Sequence, residues 1–221
     1  MQRREFEAQF LAGCRRLAEK GFLNCSSNSI SVRIPGNAEM VLVSGLDDWR
    51  EVGPAAMRTQ YLTSDEPVAA LHGSIYLERL DVGAIAVSSP KGVELLARSG
   101  GTLPPLFDEQ VRHIGLPSWR SLEEKRLSRE CIRESFRGGA NAALFSERLV
   151  CVGMTCERAV FNTELLEKCA QAYVIAKTSG TRPRLVPFWV RMIANRRLLN
   201  DERDAAASFL NGQFPEGTAS Y

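Results

Sequence analysis

Apolar residues recur at helical spacing at Phe6, Phe10, Leu11, Cys14 and Leu17, and the run stops at Lys20-Gly21, a common helix-ending pair. The spacing predicts a first helix. Residues 29–34 then alternate apolar and polar, Pro35-Gly36-Asn37 supplies a turn, and residues 40–43 return as a second strand, so a hairpin with one buried face is expected. Helical spacing resumes over residues 68–80, with Pro67 suited to a first turn and Ser64 placed to cap it. An apolar strand follows at 82–87, and a short helix opens at Pro90 and closes at Ser99-Gly100-Gly101. Ser121 is expected to cap a helix over 122–136, with Glu124 completing a capping box. Residues 142–145 and 149–153 read as a second hairpin around Ser146-Glu147-Arg148. Thr155 is expected to cap a long amphipathic helix over 157–177, and a last helical pattern runs over 188–210 after a linker at 179–183.

These elements predict a single three-layer α/β domain over residues 1–180 with a C-terminal helical extension over 181–221, packed on the same domain or on a neighbouring subunit. No Gly-x-Gly-x-x-Gly follows a strand and no Gly-x-x-x-x-Gly-Lys-Ser/Thr occurs, so mononucleotide-binding folds are disfavoured. Composition narrows the picture in three ways. The 221 residues with 44% hydrophobic content are enough for a full core. The 28 basic and 26 acidic residues are mixed along the chain, which leaves no broad electrostatic footprint for nucleic acid. The charged start, Met1-Gln2-Arg3-Arg4-Glu5, and the lack of any apolar run near the ~20 residues of a membrane span lead to the expectation of a soluble, cytoplasmic protein. The six cysteines form no Cys-x-x-Cys pair and read as reduced thiols in a core.

The order of the segments carries further information. Ser26-Ser27-Asn28-Ser29-Ile30-Ser31-Val32-Arg33 resembles the G-T-S-G-N-I-S-x-R opening of the class II aldolase/adducin family, and Val43-Ser44-Gly45 is similar to its P-S-G strand end. Leu71-His72-Gly73-Ser74-Ile75-Tyr76, then Asp81-Val82 and the strand to Ser89-Pro90, resemble L-H-x-x-I-Y…P-D-V…H-T-H-P. Residues 143–153 resemble L-L-x-N-H-G-x-x-x-x-G, and residues 157–167 the helix after it. The resemblance implies a class II aldolase-like α/β/α domain around a mainly antiparallel sheet.

It also implies a chemistry that can be compared residue by residue. In the family three histidines, two from H-T-H and one from N-H-G, hold a divalent metal, commonly zinc, that acts as a Lewis acid on an enediolate. Here the H-T-H positions fall on Val87, Ser88 and Ser89, the N-H-G position falls on Glu147 or its neighbour, and the chain has only two histidines, His72 and His113. No metal ligand is therefore assigned and no cofactor is expected, although carboxylates leave magnesium or manganese open. The resemblance implies a glutamate acid/base shortly before L-H. Counted directly from His72 it falls on Val68; with a two-residue insertion Thr63-Ser64-Asp65 takes the place of the family's S-S-E. Asp65, Glu66 and Glu147 are the catalytic candidates, set against the plainer reading that Ser64-Asp65-Glu66 caps and charge-balances a helix start. The implied phosphate end leaves Asn28, Ser29, Ser44, Gly45, Thr63, Ser64 and Ser89 as binding candidates, since hydroxyls and exposed backbone N–H groups suit an anion.

Two functional readings follow. The first is a pseudoenzyme of the family, without zinc-dependent aldehyde-lyase activity, that binds a small phosphorylated or carboxylate ligand or a protein. The second is an active lyase or isomerase on a sugar phosphate-like substrate, using carboxylates with a non-zinc metal or none. The resemblance implies a homotetramer. In the extension, Phe188, Trp189, Met192 and nearby arginines read as packing or a subunit contact. A membrane-surface helix is the competing reading, set aside because Asp201, Glu202 and Asp204 dilute the basic face, so neither membrane nor nucleic acid is expected as a partner.

Overall fold

The computed structural model describes residues 3–122, 128–145 and 148–215. In chain order these form α1 (Arg3–Glu19), β1 (Ser29–Arg33), β2 (Glu39–Ser44), β3 (Arg58–Tyr61), α2 (Pro67–Glu78), β4 (Ala84–Ser88), α3 (Lys91–Arg98) and α4 (Asp108–His113). They continue as β5 (Ser118–Leu122), α5 (Arg129–Ser135), β6 (Ala142–Phe145), β7 (Arg148–Gly153), α6 (Cys156–Thr178) and α7 (Phe188–Leu210). The strands make one sheet in the order β3-β2-β1-β4-β7-β6-β5, antiparallel throughout except for the parallel β5–β6 edge.

Strand alternation sorts the side chains into two layers. On one face Met40, Leu42, Ile85, Val87 and Val152 pack against Ile75 and Tyr76 of α2 and Ile132 of α5. On the other, Ile30, Val32, Ala84 and Ala86 meet Phe10 and Cys14 of α1 and Val160 of α6, while Leu149 and Cys151 meet Leu96 of α3 and Leu166 of α6. Helices thus cover both faces, the three-layer α/β/α arrangement expected, with a mainly antiparallel sheet. Each fully buried Leu or Ile contributes about 1.5–3 kcal/mol. Two close approaches require glycine. A Cβ on Gly73 would lie 2.0 Å from the Leu62 carbonyl oxygen, and one on Gly83 would lie 2.0 Å from that of Met154.

The first hairpin, the second hairpin and the Thr155 cap are as the pattern predicts: Thr155 accepts from the Arg158 N–H, and the last helix has the expected bounds. Three expectations need correction. Residues 118–122 are strand β5, because its backbone pairs with β6 at the sheet edge; the helix begins only at Arg129, where Ser128 accepts from the Cys131 N–H. Ser121 is therefore no cap, and Glu124 lies outside the described residues. Helix α2 is capped by Glu66, not Ser64: its carboxylate takes the Val68 and Ala69 N–H groups at 3.3 and 2.8 Å. A longer acidic side chain reaches two orphan donors and meets the positive end of the helix dipole. Strand β3 and helix α4 were not anticipated; both are short, and the strand forms one edge of the sheet.

Candidate functional site

Four strand ends meet at one end of the sheet. Register sets Ser29, at the start of β1, opposite both Ser44 of β2 and Val87 of β4, and sets Ser88 opposite Leu149 of β7. Asn28 ties the preceding loop to this end. Its Oδ1 accepts the Asn24 and Cys25 N–H groups at 2.9 and 3.2 Å, and its Nδ2 donates to Ser89 Oγ at 3.0 Å. The side chain is wholly buried, so it holds the loop shape by satisfying backbone donors.

Beneath Ser29 a polar chain runs into the core. Ser29 Oγ lies 2.8 Å from His72 Nε2, Ser31 Oγ lies 2.7 Å from His72 Nδ1, and Ser31 Oγ lies 2.8 Å from the Tyr76 hydroxyl. All four side chains are buried. Burial holds the His72 pKa down to about 3 and pushes the Tyr76 hydroxyl well up, so both are neutral. A neutral imidazole offers one donor and one acceptor, which two serine hydroxyls match.

Two guanidinium groups border the same strand ends. Arg58 Nη2 donates to Ser44 Oγ at 2.6 Å, and Arg148 donates to the Ser27 carbonyl oxygen. Arg58 is exposed, and no carboxylate among the described residues pairs with it. Next to Ser44, Gly45 is exposed with φ +73°, a left-handed conformation that leaves its backbone open. Ser88 Oγ is buried without a hydrogen-bond partner among the described residues. The pleat aims it toward the α1 and α6 face, away from Val87.

The structure therefore gathers Asn28, Ser29, Ser44, Gly45 and Ser89 at one strand-end cluster, with the Ser29 hydroxyl turned inward to His72. The remaining candidates serve the start of α2. Ser64 Oγ accepts the Glu66 N–H at 3.3 Å, Glu66 caps the helix, and Thr63 and Asp65 are exposed. Glu147 lies outside the described residues. Sequence reasoning missed Arg58 and Arg148, whose roles depend on strand pairing that no local motif signals. It also missed Glu167, a buried carboxylate on α6 that accepts the Gly92 and Val93 N–H groups at 2.8 and 3.0 Å and so caps α3 from a distance. A separate concavity of about 550 Å³ lies between α1, the start of α6 and Phe214, near the opposite strand ends at Val32 and Gly83.

The donor set does not fit a tetrahedral zinc. At the first H-T-H position Val87 sits in the apolar cluster with Leu42 and Val150. His72 has both ring nitrogens engaged. His113 lies on the α6 side of the sheet, with Nδ1 2.8 Å from Arg158 Nη1 and its ring edge-on to Phe161; burial and Arg158 hold its pKa down to about 4. Among the described residues no group of three or more His, Cys, Asp or Glu is placed to hold a metal ion.

Residues 8–174 match the class II aldolase and adducin N-terminal domain. The chain belongs to that family. Solved structures of similar fold include L-fuculose 1-phosphate aldolase, at 16% identity and TM-score 0.75 over 90% of this chain and 98% of that one. The enzyme of that name from Glaciozyma antarctica aligns at 15% identity and TM-score 0.72, covering 96% of this chain and 92% of that one. That from Thermus thermophilus aligns at 19% and 0.68, covering 81% and 98%. At these identities the likeness establishes the fold. No curated protein matches the chain. Among the described residues no helix is long and apolar enough to cross a membrane.

Proposed function

We propose that this chain is a divergent class II aldolase/adducin protein that binds a small phosphorylated or carboxylate ligand at the Ser44-Gly45 strand end and does not carry out zinc-dependent aldol cleavage. The observation that carries this reading is the fate of the family's ligand positions: an apolar core residue at Val87 and serines at 88 and 89, with His72 sealed between Ser29 and Ser31. What remains suits an anion. Arg58 beside Ser44, Arg148 beside Ser27 and the open backbone at Gly45 supply positive charge and donors, and a guanidinium binds an oxyanion through paired N–H groups. Asp65 is exposed, and the Glu66 carboxylate is engaged with the Val68 and Ala69 N–H groups as a helix cap. The reading includes a homotetramer in the cytoplasm, in keeping with the family resemblance.

Calorimetric titration with inorganic phosphate and with a sugar phosphate tests the binding half. Saturable binding, weakened about tenfold in Arg58→Gln, is expected from the loss of one charge-assisted contact. A cleavage assay on the same sugar phosphate with zinc, manganese or magnesium tests the other half; turnover dependent on Asp65 or Glu147 would overturn it in favour of a carboxylate-based lyase.

A further inference from the structure

The outer face of α7 is apolar where a surface helix is ordinarily polar. Phe188, Trp189, Met192 and Ile193 share one face of its first two turns and are 67, 65, 57 and 51% exposed, while Ala194 and Leu198 turn inward. The segment before α7 and its first turns carry charge of a single sign, with the exposed Asp108 and Glu109 opening α4, whose Val111 packs with Val186 and Val190, as a minority of opposite charge beside them. Residues 168–200 contain no Asp or Glu, and Lys177, Arg182, Arg184, Arg196 and Arg197 are all exposed. The acidic residues that dilute this charge in the sequence do not all face the same way. Asp201 pairs with Arg112 at 2.6 Å, and Glu202, buried, is drawn onto Arg79 at 3.1 Å. Only Asp204 remains exposed, two turns or more beyond the aromatic tip.

We infer that the segment 181–187 and the first turns of α7 dock on an anionic lipid surface. Phe188, Trp189, Met192 and Ile193 enter the boundary between headgroups and acyl chains, and the arginines engage lipid phosphates. Charge complementarity selects this occupant. The same face on a second copy presents the same arginines, so symmetric pairing sets guanidinium against guanidinium, whereas an anionic leaflet neutralises them. Trp and Phe are suited to the interfacial layer, and arginine stems lie along apolar surface while their heads stay with phosphate. The surface is separate from the strand-end cluster and does not depend on it.

Flotation of the full chain with phosphatidylcholine vesicles, with and without phosphatidylserine, tests the inference. Binding to the phosphatidylserine vesicles is expected, falling as salt is raised. Trp189→Ser weakens it, and Arg196→Gln with Arg197→Gln lowers partitioning about 25-fold, since each basic group near such a surface counts for about a fivefold change. Arg98→Gln, an exposed arginine on α3, leaves it unchanged, and circular dichroism of each variant checks folding. No partitioning, or equal partitioning into the neutral vesicles, would overturn the inference. So would a Trp189→Ser variant that changes the sedimenting mass of the wild-type assembly while neither protein binds vesicles, a result that assigns the face to a second copy.

Discussion

His72 shows how a residue of the family pattern is built into the core of this chain. Its imidazole joins β1 to α2 through Ser29 and Ser31, with no exposure to solvent. His72→Ala leaves two buried hydroxyls short of partners and opens a cavity, and chemical denaturation should register a loss of about 2–5 kcal/mol. The imidazole also gives the protein a pH dependence of definite sign. Its folded pKa, about 3, lies below the ordinary 6.5, so its contribution is complete above pH ~6.5 and is lost as pH falls toward 3. His113, held down to about 4, acts in the same direction. Denaturation midpoints should therefore fall on acidification through this window, and the slope should be shallower in His72→Gln. An unchanged slope would mean that His72 is charged in the folded protein. At Ser44 the expectation differs: Arg58 is exposed, so Arg58→Gln should change stability by no more than ~0.5 kcal/mol while weakening phosphate binding.

Among elements, α7 is joined to the domain by charge. Arg79 lies 2.7 Å from Asp81 and 3.1 Å from Glu202, and it also donates to the Asn141 side chain and the Ala140 carbonyl oxygen. Arg79→Met would strand Asp81 and Glu202, and a destabilisation of about 3–5 kcal/mol is expected from thermal or chemical unfolding. The double variant with Glu202→Met should recover part of it, because removing both partners costs less than leaving one buried. Glu202 has the opposite pH sign to His72. Burial raises its pKa to about 7, so its contribution is complete below pH ~4.5 and fades as pH rises through 7. The extent of α7 was legible in the sequence from its helical pattern, but its orientation was not. Asp201 and Glu202 look like surface charges until Arg112 and Arg79, from distant segments, are placed against them. The 118–136 region failed for a related reason: a capping-box pattern at Ser121 and Glu124 is local, whereas strand β5 depends on its neighbour β6.

For the whole molecule, hairpins, helices and layer order were readable because alternation and helical spacing report which face is buried, and burial decides this fold. The strand-end cluster was only partly readable. Asn28, Ser29, Ser44, Gly45 and Ser89 could be named, yet nothing local shows that the Ser29 hydroxyl turns inward to His72 or that Arg58 reaches Ser44. The proposed function holds that family membership here comes without the family's metal chemistry. It is tested most directly by elemental analysis of the purified protein, incubated with zinc, manganese and magnesium and then desalted. Metal far below one ion per chain is expected, with phosphate binding retained. Near-stoichiometric metal that is lost in Glu147→Gln or Asp65→Asn would contradict it.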